Sequence, residues 1–148
     1  MNIINFSLLC GLTAIIYGIF VSKSILSVGT GTSKMLEISK AIQEGAQAYL
    51  NRQYLTISYV GFFMFLFLAF FLNFKVAFGF LIGSILSGTA GYLGMHISVR
   101  SNVRTTQSAM QSLAQGLKIA FRAGAVTGML VAGLALLSIV IYYSILIY

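Results

Sequence analysis

The sequence predicts an all-α integral membrane protein with four transmembrane helices and two helical cytoplasmic extensions, on three observations. Apolar residues make up 59% of the 148-residue chain and charged residues only 7%. A soluble domain of average make-up is about 25% charged, so this chain lacks the polar side chains to face water on every side. Four stretches, 3–22, 54–74, 76–95 and 123–147, are each long and apolar, meeting the roughly 20 residues that about 30 Å of hydrocarbon demands. The ionisable residues fall between these stretches and not within them. The whole of 1–148 therefore reads as a single membrane domain.

The first stretch, 3–22, has no basic residue before Lys23 and no A-x-A-like cleavage site, so it reads as a retained signal-anchor and not as a removed secretory signal. Its lone Cys10 makes no CxxC motif and has apolar neighbours, so it carries no thiol chemistry. The connection that follows, 23–53, is punctuated by Gly29, Thr30, Gly31, Thr32 and Ser33. It is not a phosphate loop, because Lys34 follows Ser33 where a Walker motif needs Gly-Lys-Ser/Thr closing a strand-to-helix turn. Ser33 is placed to cap a helix whose apolar stripe is Met35, Ile38, Ile42, Gly45 and Tyr49. Glu37, Lys40, Glu44, Gln47 and Asn51 occupy its other face, and nothing interrupts it through Arg52 and Gln53 into the second span. Glu37 and Glu44 are expected to pair with Lys40 or with arginines of the second connection.

The second stretch carries Phe62, Phe63, Phe65, Phe67, Phe70, Phe71 and Phe74, a bulky texture suited to facing lipid. Asn73, Phe74 and Lys75 then form a tight connection to the third stretch, which makes the pair an antiparallel hairpin. The third presents Gly79, Gly83, Ser87 and Gly91 at four-residue spacing, and the fourth presents Gly124, Gly128 and Ala132. Small residues so spaced let helix backbones approach closely in lipid, so both ladders are expected to be buried against other helices. The second long connection, 96–122, repeats the amphipathic design with Val99, Val103, Met110, Leu113, Leu117 and Phe121. His96, at the exit of the third span, has no Cys, Asp, Glu or second His near it in sequence and cannot build a zinc site.

Basic residues fix the expected orientation. Lys23, Lys34, Lys40 and Arg52 lie in the first connection, Arg100, Arg104, Lys118 and Arg122 in the second, and Lys75 alone in the short turn. Lys and Arg are retained on the cytoplasmic side, so both connections are expected in the cytoplasm and both termini outside, in a multi-pass protein of the cell inner membrane. The net charge of +7 is accounted for by this topology. Without an array of stacking aromatics in those segments, it implies no nucleic-acid partner. The absence of an intramembrane carboxylate argues against a proton-exchanging transporter. With Glu37 and Glu44 the only acids and no Asp, catalytic, cofactor-binding and metal-ligating residues are all expected to be none.

Three stretches resemble the membrane-bound, ion-translocating inorganic pyrophosphatases: Ala-Ile-Gln-Glu-Gly-Ala-Gln-Ala-Tyr-Leu-Asn-Arg-Gln-Tyr at 41–54, Gly-Tyr-Leu-Gly-Met with the Ser-Val-Arg-Ser-Asn-Val-Arg-Thr-Thr-Gln-Ser-Ala that follows His96, and Ala-Phe-Arg-Ala-Gly-Ala-Val-Thr-Gly-Met at 120–129. The resemblance runs from about Glu37 onward in matching order. It implies the amino-terminal part of a homodimeric, Mg2+-requiring pump that couples pyrophosphate hydrolysis to proton or sodium translocation. In that family the residues that hold Mg2+ and pyrophosphate lie on later helices, so the remaining helices of the pump, the lipid bilayer and, through the missing part, pyrophosphate are the implied partners. The expectation is a truncated or split gene product, inactive alone. The alternative is a small non-catalytic membrane scaffold or four-helix transporter subunit.

Overall fold

A computed structural model describes residues 3–147 as four helices: α1 (Ile3–Leu26), α2 (Ser33–Phe71), α3 (Phe74–Gln111) and α4 (Leu113–Ile147). All four are long and apolar enough to cross a membrane. In hydrocarbon every backbone N–H and C=O must be satisfied within the segment, and a chain without proline meets that demand with unbroken helices. α2 has 39 residues, about 58 Å at about 1.5 Å per residue, nearly twice the roughly 30 Å core. It passes through Arg52 and Gln53 without a break, as the sequence leads one to expect.

Short side chains mark the interruptions. Thr32, and not Ser33, is the N-cap of α2: its hydroxyl accepts from the Met35 N–H at 3.3 Å, while Ser33 is the first helical residue. Gly31, at φ 80°, supplies the left-handed turn before it. The hairpin connection is Leu72–Asn73, shorter than the expected Asn73–Lys75, because the Asn73 side chain accepts from the Lys75 N–H at 3.0 Å and starts α3 at Phe74. Phe74 thus belongs to α3. Ser112 divides the second long connection, its hydroxyl accepting from the Gln115 N–H at 3.2 Å.

α2 lies beside α3, α3 beside α4 and α4 beside α1, with α1 also meeting α3 over a short stretch; among the described residues the α2 backbone approaches neither α1 nor α4. The core lies along α4, where Ile119, Ala123, Val126 and Leu130 pack with Ile25 of α1. Close approach sets the seams. A Cβ on Gly133 would lie 3.0 Å from the Gly11 carbonyl oxygen and 2.9 Å from the Ala14 Cβ, so α1 and α4 meet nearly backbone to backbone. On α3, Gly79 faces the Tyr142 ring and Gly94 faces Thr127, both on α4.

The expected burial of the small-residue ladders is met in part on α3 and corrected on α4. Gly124 and Gly128 would meet nothing with an added Cβ, and Ala132 is exposed, so the α4 ladder lies open while Gly133 forms the contact. The α3 ladder divides: Gly79 and Gly83 face α4, Gly91 faces Tyr54 of α2, and Ser87 is exposed. The stripe Ile38, Ile42 and Tyr49 points outward, and the buried residues of that part of α2 are Ser39 and Leu50. In the second connection Val99 and Val103 are buried, whereas Met110, Leu113, Leu117 and Phe121 are exposed, and the stripe is broken at Ser112.

Gly133→Ala forces α1 and α4 apart and is expected to cost about 1–3 kcal/mol, the usual range for overpacking. Gly128→Ala, on the open face of α4, is expected to be neutral or to gain up to about 1 kcal/mol from helix propensity. Unfolding of the two variants in matched micelles, followed by helical circular dichroism, checks the difference.

Candidate functional site

Polar side chains collect where α2 and α3 rise beyond their most apolar turns. Tyr54 donates to the Gly88 carbonyl at 2.6 Å, and Gln47 donates through Nε2 to the Tyr92 hydroxyl at 2.9 Å. The Tyr54 and Tyr92 rings meet edge to face at 5.4 Å, and Tyr92 stacks on His96 at 6.2 Å. Gly91 makes this possible, since a side chain there would collide with the Tyr54 hydroxyl, 2.9 Å from where its Cβ would stand. The tyrosines therefore tie α2 to α3 with apolar rings and polar tips, the arrangement amphipathic aromatics favour at a membrane boundary.

Further along α3, arginines bind backbone. Arg100 donates to the His96 carbonyl at 3.3 Å, and Arg104 donates to the carbonyls of Arg100 at 2.6 Å and Leu26 at 3.0 Å. Leu26 ends α1, where carbonyls lack intrahelical partners and a cation meets the negative end of the helix dipole. Arg104 so clamps the α1 terminus to α3, and its Nε is buried with no hydrogen-bond partner. The expected pairing of these arginines with Glu37 and Glu44 does not appear: both carboxylates are exposed on α2, and the arginine contacts are to carbonyls. Burial, and then the nearby Arg100 cation, lower the pKa of His96 below the ordinary 6.5.

Carboxylates do not gather at this seam. Among the described residues no group of three or more His, Cys, Asp or Glu side chains stands together. Mg2+ favours near-octahedral oxygen ligands including carboxylates, and Glu37 and Glu44 lie seven positions apart, about 10 Å along the helix. The seam is an assembly of hydrogen-bond donors, aromatic rings and cations, able to join helices and attract anions, without an acid or a nucleophile paired to a base. Gln47, Tyr54, Tyr92 and the α1 clamp of Arg104 were not singled out from sequence. A polar-tipped Tyr at each apolar boundary was the available signal for Tyr54 and Tyr92; no signal joins Arg104 to Leu26.

Four long apolar helices meeting through small residues define a multi-pass membrane protein. A family model described as inorganic H+ pyrophosphatase matches residues 12–148. A K(+)-insensitive pyrophosphate-energized proton pump of Methanosarcina mazei is 49% identical over 131 residues, covering 87% of this chain and 20% of the relative. A second such pump, from Moorella thermoacetica, is 38% identical over 130 residues, 87% of this chain and 19% of that relative. One from Pyrobaculum aerophilum is 41% identical over 61 residues, 39% of this chain and 8% of that relative. The chain belongs to the inorganic H+ pyrophosphatase family. It spans about a fifth of the length of the Methanosarcina and Moorella relatives.

Because the pKa of His96 is lower in the fold than in the unfolded chain, the unfolded chain binds more protons just below pH 6.5. Stability is therefore expected to rise with pH through that window and to fall as the pH drops from 6.5 through the lower folded midpoint. Titration of the His96 ring by NMR is expected to give a midpoint below 6.5. Arg100→Gln is expected to raise it only part of the way, since burial, the larger cause, remains.

Proposed function

We propose that this chain is the amino-terminal part of a membrane pump that couples pyrophosphate hydrolysis to translocation of protons, or of sodium, and that it supplies framework without catalytic residues. The carrying observation is family membership along residues 12–148 together with coverage of only about a fifth of the relatives' length. The donor set agrees: two exposed glutamates do not hold a divalent cation bridged to diphosphate, which calls for acidic metal ligands and cations on the phosphate oxygens. Mg2+ and pyrophosphate would be handled by the remaining helices, in a homodimeric pump. The long basic connections would lie in the cytoplasm with both termini outside, in the inner membrane, following the retention of Lys and Arg on the cytoplasmic side.

The uncovered faces support the framework reading. A stripe such as Ile38, Ile42 and Tyr49, exposed on a helix about twice as long as the hydrocarbon is thick, needs protein to cover it where no lipid reaches. The open ladder Gly124, Gly128 and Ala132 offers α4 a second close helix contact. That same ladder favours the second reading, a non-catalytic scaffold that associates with copies of itself.

Membranes from a host without a pyrophosphatase pump, carrying this chain alone, are expected to show no Mg2+-dependent pyrophosphate hydrolysis above background. Clear hydrolysis there overturns the proposal. Co-expression with the later helices of the Methanosarcina relative is expected to give a co-purifying complex, whereas a scaffold yields only self-association by cross-linking.

A further inference from the structure

The connection between α1 and α2, residues 27–32, is a strap tied to α3 near both ends. Arg104 of α3 holds the Leu26 carbonyl just before it at 3.0 Å, and Val28 packs on the core cluster of Ile25, Ile119 and Val126. At the other end Gly31 lies so close to α3 that an added Cβ would stand 2.5 Å from Gln107 Oε1, and its φ of 80° already favours glycine. Gly29, between the two ties, would meet nothing within 4 Å. Arg104 and Gln107 are three positions apart on α3 and so share one face of it.

The strap matters because little else holds the first half of α2. Among the described residues the α2 backbone approaches α3 alone. Hydrogen bonds join the two helices at Gln47 with Tyr92 and at Tyr54 with the Gly88 carbonyl. Nearer the start of α2, Gln43 spends its amide within its own helix, donating to the hydroxyl of buried Ser39 at 2.9 Å. The stretch 33–46 is therefore pinned at the tyrosine seam on one side and at the strap on the other.

The strap's pin is only half satisfied. Arg104 is a cation whose two acceptors are neutral carbonyl oxygens, and its Nε is buried without a partner. Burial, and then the Arg100 cation one turn back, push its pKa below the ordinary guanidinium value. A buried donor left unpaired costs much of what the paired donors contribute, and a partly satisfied network is where a packed structure yields first.

We propose that Arg104 is the latch of a hinged arm: it keeps the strap on α3 and the first half of α2 closed, and on its release that half swings out about the tyrosine seam. The inference goes beyond the pump reading and does not depend on it. The end of α1 stays in place in both states, anchored by fully buried Ile25.

The test uses the full chain, with Cys10→Ser, in phosphatidylcholine vesicles. Spin labels on Ile38→Cys of α2 and Leu117→Cys of α4, both exposed, report the arm by double electron–electron resonance. Labels on exposed Ser24→Cys of α1 and Leu117→Cys report the anchored end. Arg104→Gln is expected to lower the ratio of closed to open arm about tenfold, as for the loss of one hydrogen bond to a charged group, adding a longer distance for the first pair and leaving the second unchanged. Gly31→Ala, which drives a Cβ into Gln107, is expected to open the arm as well, whereas Gly29→Ala is expected to leave it closed. Circular dichroism confirms that helix is kept; if Arg104→Gln loses it, Gly31→Ala must still open the arm. An unchanged distance for the first pair in folded Arg104→Gln overturns the proposal. Equal opening in Gly29→Ala and Gly31→Ala does so too, as does a matching shift of the control pair.

Discussion

The arrangement depends on how near α4 comes to its two neighbours. In hydrocarbon, helices gain nothing from hiding apolar surface, since the surrounding chains are equally apolar, and association rests on dense packing. At Gly11 and Gly133 the backbones of α1 and α4 nearly touch, and at Gly94 the α3 backbone admits Thr127 of α4. α4 is consequently the hub, with its core residues Ile119, Ala123, Val126 and Leu130. α2 is held differently. Its only neighbour among the described residues is α3, and their seam relies on tyrosine tips and a glutamine more than on close backbones. The assembly is therefore firm around α4 and lightly attached at α2.

Much of this was legible in the residues. Four apolar stretches give four helices, and the unbroken run through Arg52 and Gln53 gives a continuous α2. Which face each helix buries was not legible, because a residue facing lipid and one facing protein are selected for the same apolarity. Gly124 and Gly128 satisfy the spacing rule as well as Gly133 does, yet Gly133 is the one in contact, since spacing shows that a backbone can approach without naming its neighbour. The stripe through Ile38 and Ile42 is a correct reading of periodicity: it marks a face that needs a cover, and nothing among the described residues covers it. The break at Ser112 has a signal of its own, Ser112-x-x-Gln115 at capping-box spacing.

The candidate site was less legible than the fold for a related reason. Tyr54 reaches the Gly88 carbonyl across 34 positions and Arg104 reaches Leu26 across 78, and no local pattern encodes pairings at such separations. What composition does encode is the poverty of acid. Two glutamates against nine cations leave arginine to bind carbonyl oxygens and whatever anions come near. Such a surface holds helices and charged ligands in place. Neither glutamate stands beside these arginines, so the charges that meet at the seam are cations on carbonyl oxygens.

The turn at Leu72–Asn73 bears on how the protein is made. α2 and α3 leave and return on the same side of the membrane, and between their apolar runs stands one ammonium, Lys75, with no carboxylate. Threading that hairpin through a translocation channel carries a single charge, about 2.5–3.5 kcal/mol at the bilayer centre, set against two long runs of oily side chains. The pair is thus suited to entering the membrane as one unit, with Asn73 capping the return helix.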